Sequence, residues 1–392
     1  MAHNRDNSSG RKLRAGIVGG GKGAFIGTVH RIAAQLDNEA EVVAGALSSD
    51  PAKAEASARD WYLQRSYASF EKMAEEESRR TDGIDFVIIA TPNHLHYPII
   101  RAFAEKGIHI VCDKPVAFNT KEAAEIVALV KKKKIVFALT HNYTGYPLVR
   151  EARDIVRSGR IGEVRKVLVE YIQDWLLQPL EKSGQKQAAW RTDPKRAGAS
   201  CCVGDIGTHA ENLMEYITGL KISSLCADLT TFVPGRKLED DANVLLRLSN
   251  GAKGILTCSQ IAAGEENGLS IRIYGTKAGL EWRQMEPNCL YLKWPGAPIQ
   301  TLRPGKPYLS KPTLEAGRIP SGHPEAFLEA FANIYKGAIA DIRNAKTGKA
   351  LQKNYPGAKD GLRGMRFIEA CVKSSKQGAK WVNLTPPPGP LS

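Results

Sequence analysis

The sequence predicts an α/β protein in two parts: a doubly wound parallel sheet first, then an α+β region with a large, mostly antiparallel sheet. Three observations lead there. Apolar Val/Ile runs alternate with amphipathic stretches up to about residue 140; beyond it, strand-like runs follow one another without helices; and 392 residues exceed what one ordinary core holds.

The runs Leu13–Val18, Val42–Leu47, Phe86–Ala90, His109–Cys112 and Ile135–Leu139 are continuous rather than alternating, as strands buried on both faces are. Between them Ala52–Ala58, Pro98–Glu105 and Lys121–Val130 read as helices. The lysine run 131–134 falls at the end of the last of these, where it complements the helix dipole. After Asn142 a helix over Leu148–Val156 leads into Val164–Tyr171, Leu225–Val233, Asn243–Leu248, Gly254–Ser259, Leu269–Tyr274 and Cys289–Lys293. Asn250-Gly251 predicts a hairpin, since both residues accept the positive φ of a tight turn. Helical patterns return at Pro324–Tyr335 and Leu362–Val372. These readings divide the chain into a tail over 1–10, a doubly wound domain over 11–141, an α+β domain over 142–385 and a tail over 386–392.

Composition excludes several classes. The formal charge is +14, from 55 Lys+Arg against 41 Asp+Glu, but the cations are scattered and form no basic stripe interleaved with aromatics. Nucleic acid is therefore not the expected partner. Seven cysteines show no metal-ligand spacing, which argues for reduced thiols and no metal. Residues 1–10 carry no apolar leader, and no apolar run approaches the roughly 18 residues a membrane span needs. A cytoplasmic protein is expected.

The first strand ends in Gly19-Gly20-Gly21-Lys22-Gly23-Ala24-Phe25-Ile26. With Gly19, Gly21 and Ala24 at the G-x-G-x-x-A positions, this is a dinucleotide fingerprint in its required strand-to-helix context. Glycine lets the backbone turn tightly and approach a pyrophosphate, which then rests on the helix N-terminus. The structural alternative is a plain glycine turn. At the end of the second strand, where an acid selects NAD and a cation NADP, stand Ser48, Ser49 and Asp50-Pro51, with Lys53 beyond. Asp50 reads as the cap of the next helix, so the choice leans to NAD without excluding NADP.

Thr91-Pro92-Asn93-His94-Leu95-His96 and Asp113-Lys114-Pro115 follow two later strands, and ligands of open α/β sheets sit beyond such carboxyl ends. Lys114 there reads either as ordinary surface or as a catalytic cation. In Gly204-Asp205-Ile206-Gly207-Thr208-His209 the acid and the histidine lie four apart, on one face if a helix begins here. A lone histidine is more often structural than catalytic. An Asp/His pair beside a lysine is what proton abstraction requires.

These motifs, in this order and spacing, resemble the Gfo/Idh/MocA oxidoreductases over roughly residues 13 to 385. Thr140-His141-Asn142-Tyr143, Ala189-Trp190-Arg191-Thr192-Asp193 and Gly322-His323-Pro324-Glu325 are similar to the levoglucosan dehydrogenase branch. Two departures stand out: Asp113 replaces the more usual Glu before Lys-Pro, and Asn212 occupies a position that is often acidic. The resemblance implies a Rossmann domain whose cofactor contacts come from Gly19, Gly21, Gly23, Ala24, Phe25, Ile26, Ser48, Ser49, Lys53, Thr91, Pro92, Asn93, His96, Asp113, Lys114 and Asn142. It implies hydride transfer between NAD and a hydroxyl-bearing ring carbon, C3 by expectation, of a sugar, anhydrosugar, glycoside or inositol. His209 would then be the general base and Lys114 the cation on the substrate oxygen. Asp205 would bind a second hydroxyl or tune the histidine.

The segment from Asp174 to Ser200, with Trp175, Gln178, Trp190 and Arg191, is the expected substrate wall, alongside Tyr143; a subunit contact is its other reading. Three rival functions remain open at this level: redox-neutral glycoside cleavage, keto-sugar reduction and non-catalytic sugar or cofactor sensing. The resemblance also implies a homo-oligomer, a tetramer or a dimer, formed through the second sheet.

Overall fold

The computed structural model describes residues 10–384; the expected tail over 386–392, and all but the last residue of the one over 1–10, lie outside them. The first sheet contains β1 (Leu13–Gly19), β2 (Ala40–Ala46), β3 (Arg65–Ser66), β4 (Phe86–Ala90), β5 (His109–Cys112) and β6 (Phe137–Leu139). All pairs are parallel, in the order β3-β2-β1-β4-β5-β6, so strand order reverses between β1 and β4. A doubly wound sheet binds its ligand at that reversal. β4 is buried at every position, as its unbroken apolar run requires.

The connecting helices are α1 (Phe25–Gln35), α2 (Pro51–Asp60), α3 (Phe70–Arg79), α4 (His96–Glu105) and α5 (Thr120–Lys133). Asp50 caps α2 by accepting from the Lys53 N–H at 3.1 Å, with Pro51 as the first helical residue. The lysine run closes α5 as expected, with Lys134 left-handed at its end. β3 and α3 escaped the sequence reading: β3 is two residues long, and α3 is mostly charged.

In the glycine loop, the tight strand-to-helix approach is made by Gly20 and Gly27, not by Ala24. A Cβ on Gly20 would come within 2.6 Å of the Gly27 Cα, and one on Gly27 would collide with the Gly20 carbonyl. Ala24 instead occupies the position just before α1.

The second sheet is nine-stranded, in the order β14-β13-β12-β11-β7-β10-β9-β8-β15. Its strands are β7 (Val164–Ile172), β8 (Ile222–Thr230), β9 (Asp241–Leu248), β10 (Lys253–Ser259), β11 (Gly268–Gly275), β12 (Gly279–Arg283), β13 (Leu290–Lys293), β14 (Gln300–Leu302) and β15 (Val382–Asn383). Only β7 and β10 pair in parallel. The β9–β10 hairpin forms where Asn250-Gly251 predicted it, but Gly251 alone has a positive φ, of 90°.

Strand alternation divides this sheet into two faces. On one, Val167, Val169, Val244, Leu246 and Leu256 are buried, covered by α6 (Pro147–Arg157), α9 (Thr208–Thr218) and α12 (Ala358–Lys376). On the other, Leu245, Ile255 and Leu168 align across β9, β10 and β7, and Leu245 is 48% exposed.

Between β7 and α9, where only a loop was expected, lie α7 (Lys186–Arg191) and α8 (Pro194–Ala197). After β14 come α10 (Lys311–Ala316) and α11 (Phe327–Lys346). Although it follows the second sheet in sequence, α11 packs through Phe331, Ile334, Tyr335, Ala338 and Ile342 onto the core of the first sheet, with Ile17, Phe86 and Ile88. The chain thus returns to its starting domain and closes the two halves around one cleft. Among the described residues no helix is long and apolar enough to cross a membrane.

Candidate active site

A cavity of about 520 Å³ lies at the carboxyl ends of β5 and β6, between the first sheet and the helical face of the second. That volume suits a small organic ligand. Phe25 and Ile26 from α1, Asp113 and Lys114 after β5, and Asn142 and Tyr143 after β6 contribute to its walls. Trp175, Arg191, Asp205 and His209 complete the predicted residues that line it.

Asp205 is the point where the walls meet. Its Oδ1 accepts from Lys114 Nζ at 2.9 Å, and its backbone carbonyl accepts from the same ammonium at 2.5 Å. Its Oδ2 accepts from Gln260 Nε2 at 2.9 Å and lies 3.2 Å from Arg191 Nε. Burial opposes a charge on this carboxyl, but Arg191 and Lys114 outweigh it and hold the group well below the usual carboxylate range. The carboxylate is thus ionised, and its side-chain contacts are to two cations and one amide. It anchors two cations.

The turn carrying Asp205 is not the regular helix opening that was expected. Val203–Gly207 forms a π turn leading into α9, so Asp205 and His209 are separated by one wide turn. Single π turns recur at functional sites because they re-aim side chains. His209 is buried, and its Nδ1 has no hydrogen-bond partner among the described residues. Burial pushes its pKa well below the usual histidine value, with help from the Lys114 charge and from His141. The ring is therefore a neutral imidazole at physiological pH, able to accept a proton. It stands edge-on to Tyr143 at 4.8 Å and to His141 at 5.3 Å between centroids. His141 is held down to about 3, first by burial and then by Arg363 and Lys114.

Tyr143 and Tyr171 share a hydroxyl–hydroxyl hydrogen bond of 2.5 Å, and Tyr171 also donates to Asn267 Oδ1 at 2.7 Å. Burial raises both phenols, so they remain neutral hydroxyls. Arg191 is clamped in place: its guanidinium carbon lies 4.3 Å from the Trp190 ring centroid and 5.7 Å from that of Trp175. It also donates to Gln187 Oε1 at 2.7 Å, an oxygen that Trp190 Nε1 shares at 3.1 Å. Trp190 itself is buried behind the wall and supports it.

Three expected contacts are committed elsewhere. Gln178 is exposed outside the cavity, with its backbone carbonyl accepting from Arg236 at 2.9 Å. Asn93 donates to the Ala197 carbonyl at 3.0 Å. His96 bridges two turns, its ring nitrogens 2.8 Å from the carbonyls of Pro115 and Thr91. These residues shape the site rather than face it. Asp113 lines the cavity, and its Oδ1 accepts from the Lys114 N–H at 2.9 Å and from Thr140 Oγ1 at 3.0 Å.

Sequence reading missed Tyr171, Gln173, Gln185, Gln187, Asn267 and Gln284, all of which line the cavity. One signal was present. Along β7, Val167 and Val169 share a buried face with Tyr171, and Gln173 is next on that side. A polar side chain that interrupts an apolar face marks a site.

The glycine loop fits a dinucleotide. A Cβ on Gly19 would lie 2.6 Å from Thr91 Cγ2 and 2.7 Å from the Ala90 carbonyl, and one on Gly21 2.8 Å from the Leu47 carbonyl. The loop is thus packed hard from below. Above it, Gly23 is exposed with a φ of +81° and open space around its Cα. No side chain caps α1, which leaves its first N–H groups available to an anion. Ser48 and Ser49 follow β2 and Lys53 lies in the first turn of α2, Ser48 accepting from the Asp50 N–H at 3.1 Å; none of them, nor Thr91 or Pro92, lines the cavity.

Comparison with known proteins agrees. Residues 13–141 match the oxidoreductase family with an NAD-binding Rossmann fold, and residues 149–281 match the GFO/IDH/MocA C-terminal domain. The chain belongs to the GFO/IDH/MocA family. It is 37% identical to the uncharacterized oxidoreductase YfiI of Bacillus subtilis over 98% of this chain and 100% of that one. The levoglucosan dehydrogenase of Pseudarthrobacter phenanthrenivorans is 29% identical, over 69% of this chain and 73% of that protein. In three dimensions the fold is similar to an inositol dehydrogenase homolog complexed with NAD+ from Azotobacter vinelandii. There the TM-score is 0.92 and the identity 34%, over 96% of this chain and 98% of that one. This GFO/IDH/MocA member is thus an oxidoreductase with an NAD-binding Rossmann domain.

The burial of the two histidines yields a direct expectation. In a sample with selectively labelled histidine, the ring signals of His141 and His209 should show no protonation step as pH falls from about 8 to about 6, whereas an ordinary imidazole titrates near 6.5. A midpoint near 6.5 for His209 would contradict the neutral, water-poor setting described for it.

Proposed function

We propose that this enzyme oxidises a ring hydroxyl, at C3 by preference, of a sugar, anhydrosugar, glycoside or inositol. NAD is the cofactor, and in cells the chemistry takes place in the cytoplasm. The supporting observation is that one cavity is lined by both a neutral imidazole at His209 and an ammonium at Lys114 anchored by Asp205. Alcohol oxidation needs a base for the hydroxyl proton and a positive group where the oxygen gathers charge.

The residues that would hold the cofactor are the glycine loop and the start of α1, with Phe25, Ile26 and Asn142 at the cavity end. When bound, NAD supplies the hydride acceptor. His209 accepts the hydroxyl proton at an imidazole nitrogen. Lys114 orients the same oxygen and offsets its developing charge, and Asp205 keeps that ammonium in place. Phe25 and Phe327, stacked at 6.4 Å between centroids, and Phe331 restrict water at the cofactor end.

The open face of the second sheet, with its Leu245–Ile255–Leu168 row, fits burial against a second copy of this chain. We propose a homo-oligomer, a tetramer by preference and a dimer otherwise. Light scattering at micromolar concentration should give a multiple of 42.8 kDa; a monomer would refute it.

For the chemistry, His209→Ala should lower turnover by about 10²–10⁴-fold while NADH affinity changes little, because the side chain belongs to α9 rather than to the glycine loop. Lys114→Ala should also lower turnover, and the double variant should lose less than the product of the single losses. Higher pH should partly restore the histidine variant, since hydroxide replaces a base but not a cation. Near-normal turnover of His209→Ala at neutral pH would reject the assignment and turn attention to Tyr143.

A further inference from the structure

The hydrogen bonding inside the cavity does not close. Gln173 Oε1 and Gln284 Oε1 are buried acceptors without a partner among the described residues, and both side chains line the wall. An unmatched buried acceptor is costly, so each oxygen marks a place where a donor belongs.

The Gln173 carboxamide is held in orientation. Gln173 Nε2 donates to Asn267 Oδ1 at 2.7 Å, the oxygen that also accepts from Tyr171. Asn267 Nδ2 in turn donates to Tyr143 Oη at 3.3 Å. The amide end of Gln173 is therefore occupied and its oxygen is left over. At Gln284, the carboxamide oxygen and the nearby Tyr146 hydroxyl are both buried without a partner among the described residues.

The charges of the cavity are balanced in the same way. Its ionic side chains are Lys114 and Arg191 against Asp113 and Asp205, a formal sum of zero. Both cations end on Asp205. His209 is uncharged and so are the two tyrosines. An incoming phosphate or carboxylate would lose its water without meeting any excess positive charge, and would face two carbonyl oxygens that need donors. A hydroxyl meets the requirement, because it can donate to one neighbour and accept from another.

We infer that Gln173 and Gln284 are specificity-determining residues that accept hydrogen bonds from two hydroxyls of an uncharged polyhydroxylated ring, and that phosphorylated and acidic sugars are rejected. The inference rests on the dehydrogenase reading above and narrows it.

The test uses the intact enzyme with NAD. Initial rates of NADH formation are compared for uncharged sugars and cyclitols, including D-glucose and myo-inositol, and for the charged D-glucose 6-phosphate and D-glucuronate. The best uncharged ring should exceed the charged compounds by about 10²-fold or more in kcat/KM. Monodeoxy analogues of that ring are then assayed with wild type, Gln173→Met and Gln284→Met. Each variant should raise the substrate KM about tenfold with NADH affinity unchanged, and each should become indifferent to the loss of a different single hydroxyl. A preference for a phosphorylated or acidic sugar overturns the inference while leaving the dehydrogenase reading intact. Methionine variants that discriminate among the deoxy analogues as wild type does also overturn it, since the two oxygens would then serve water. Binding of NADH with no turnover of any compound overturns the dehydrogenase reading, and this inference with it.

Discussion

The ion pairs that Asp205 makes with Lys114 and Arg191 tie together parts of the chain that are far apart in sequence. Lys114 comes from the turn after β5, Asp205 from the π turn before α9, Arg191 from α7, and Gln260, on the same carboxylate, from the end of β10. One side belongs to the sheet that carries the glycine loop and the other to the second sheet and its connections. Bringing two cations toward a cavity costs desolvation energy unless an anion accompanies them. A carboxylate placed between them meets that requirement and fixes both directions at once. His209, four residues later, inherits its position from the same turn, and its neutrality follows from burial beside a cation. Trp190, behind the wall, and Gln187, on it, complete the arrangement by holding Arg191 in place.

Much of this was legible in the sequence, for a physical reason in each case. Strands buried on both faces must be continuously apolar, so β1, β2, β4, β5 and β6 were visible, and the glycine loop was placed by its strand-to-helix context. Lys114, Asp205 and His209 were found because their chemistry is unusual at a strand end and a helix start. The carboxamide wall was not found. Glutamines 173, 185, 187 and 284 and Asn267 carry no signal in isolation, and they converge only when β7, β11, α7 and the end of β12 are brought together. Gln178 and Trp190 show the opposite failure: the right segment was chosen, but one residue faces solvent and the other backs the wall.

The return of α11 to the first sheet was equally hidden. Its helical pattern is plain, yet nothing local says which of two apolar sheets it will cover. Its placement matters for the site, because Phe327 and Phe331 on this helix close the cavity against α1. The close approach of Gly20 and Gly27 belongs to the same class of constraint. A glycine within the first turn of a helix looks unfavourable locally, and only the Gly20 backbone of the loop packed against it explains why no larger residue fits.

The claim that Asp205 acts as an anchor rather than as an acid or base is open to one direct measurement, on Asp205→Asn. The amide keeps the size of the side chain and can still accept from Lys114, but it removes the charge that holds the two cations. Turnover should fall by about 10²-fold or more. The acid limb of the pH–rate profile should stay where it is, because the titrating base is elsewhere, and NADH affinity should change by less than about threefold. Turnover close to that of wild type, in a variant whose melting temperature is unchanged, would show that Lys114 and Arg191 do not depend on this carboxylate, and would contradict the account.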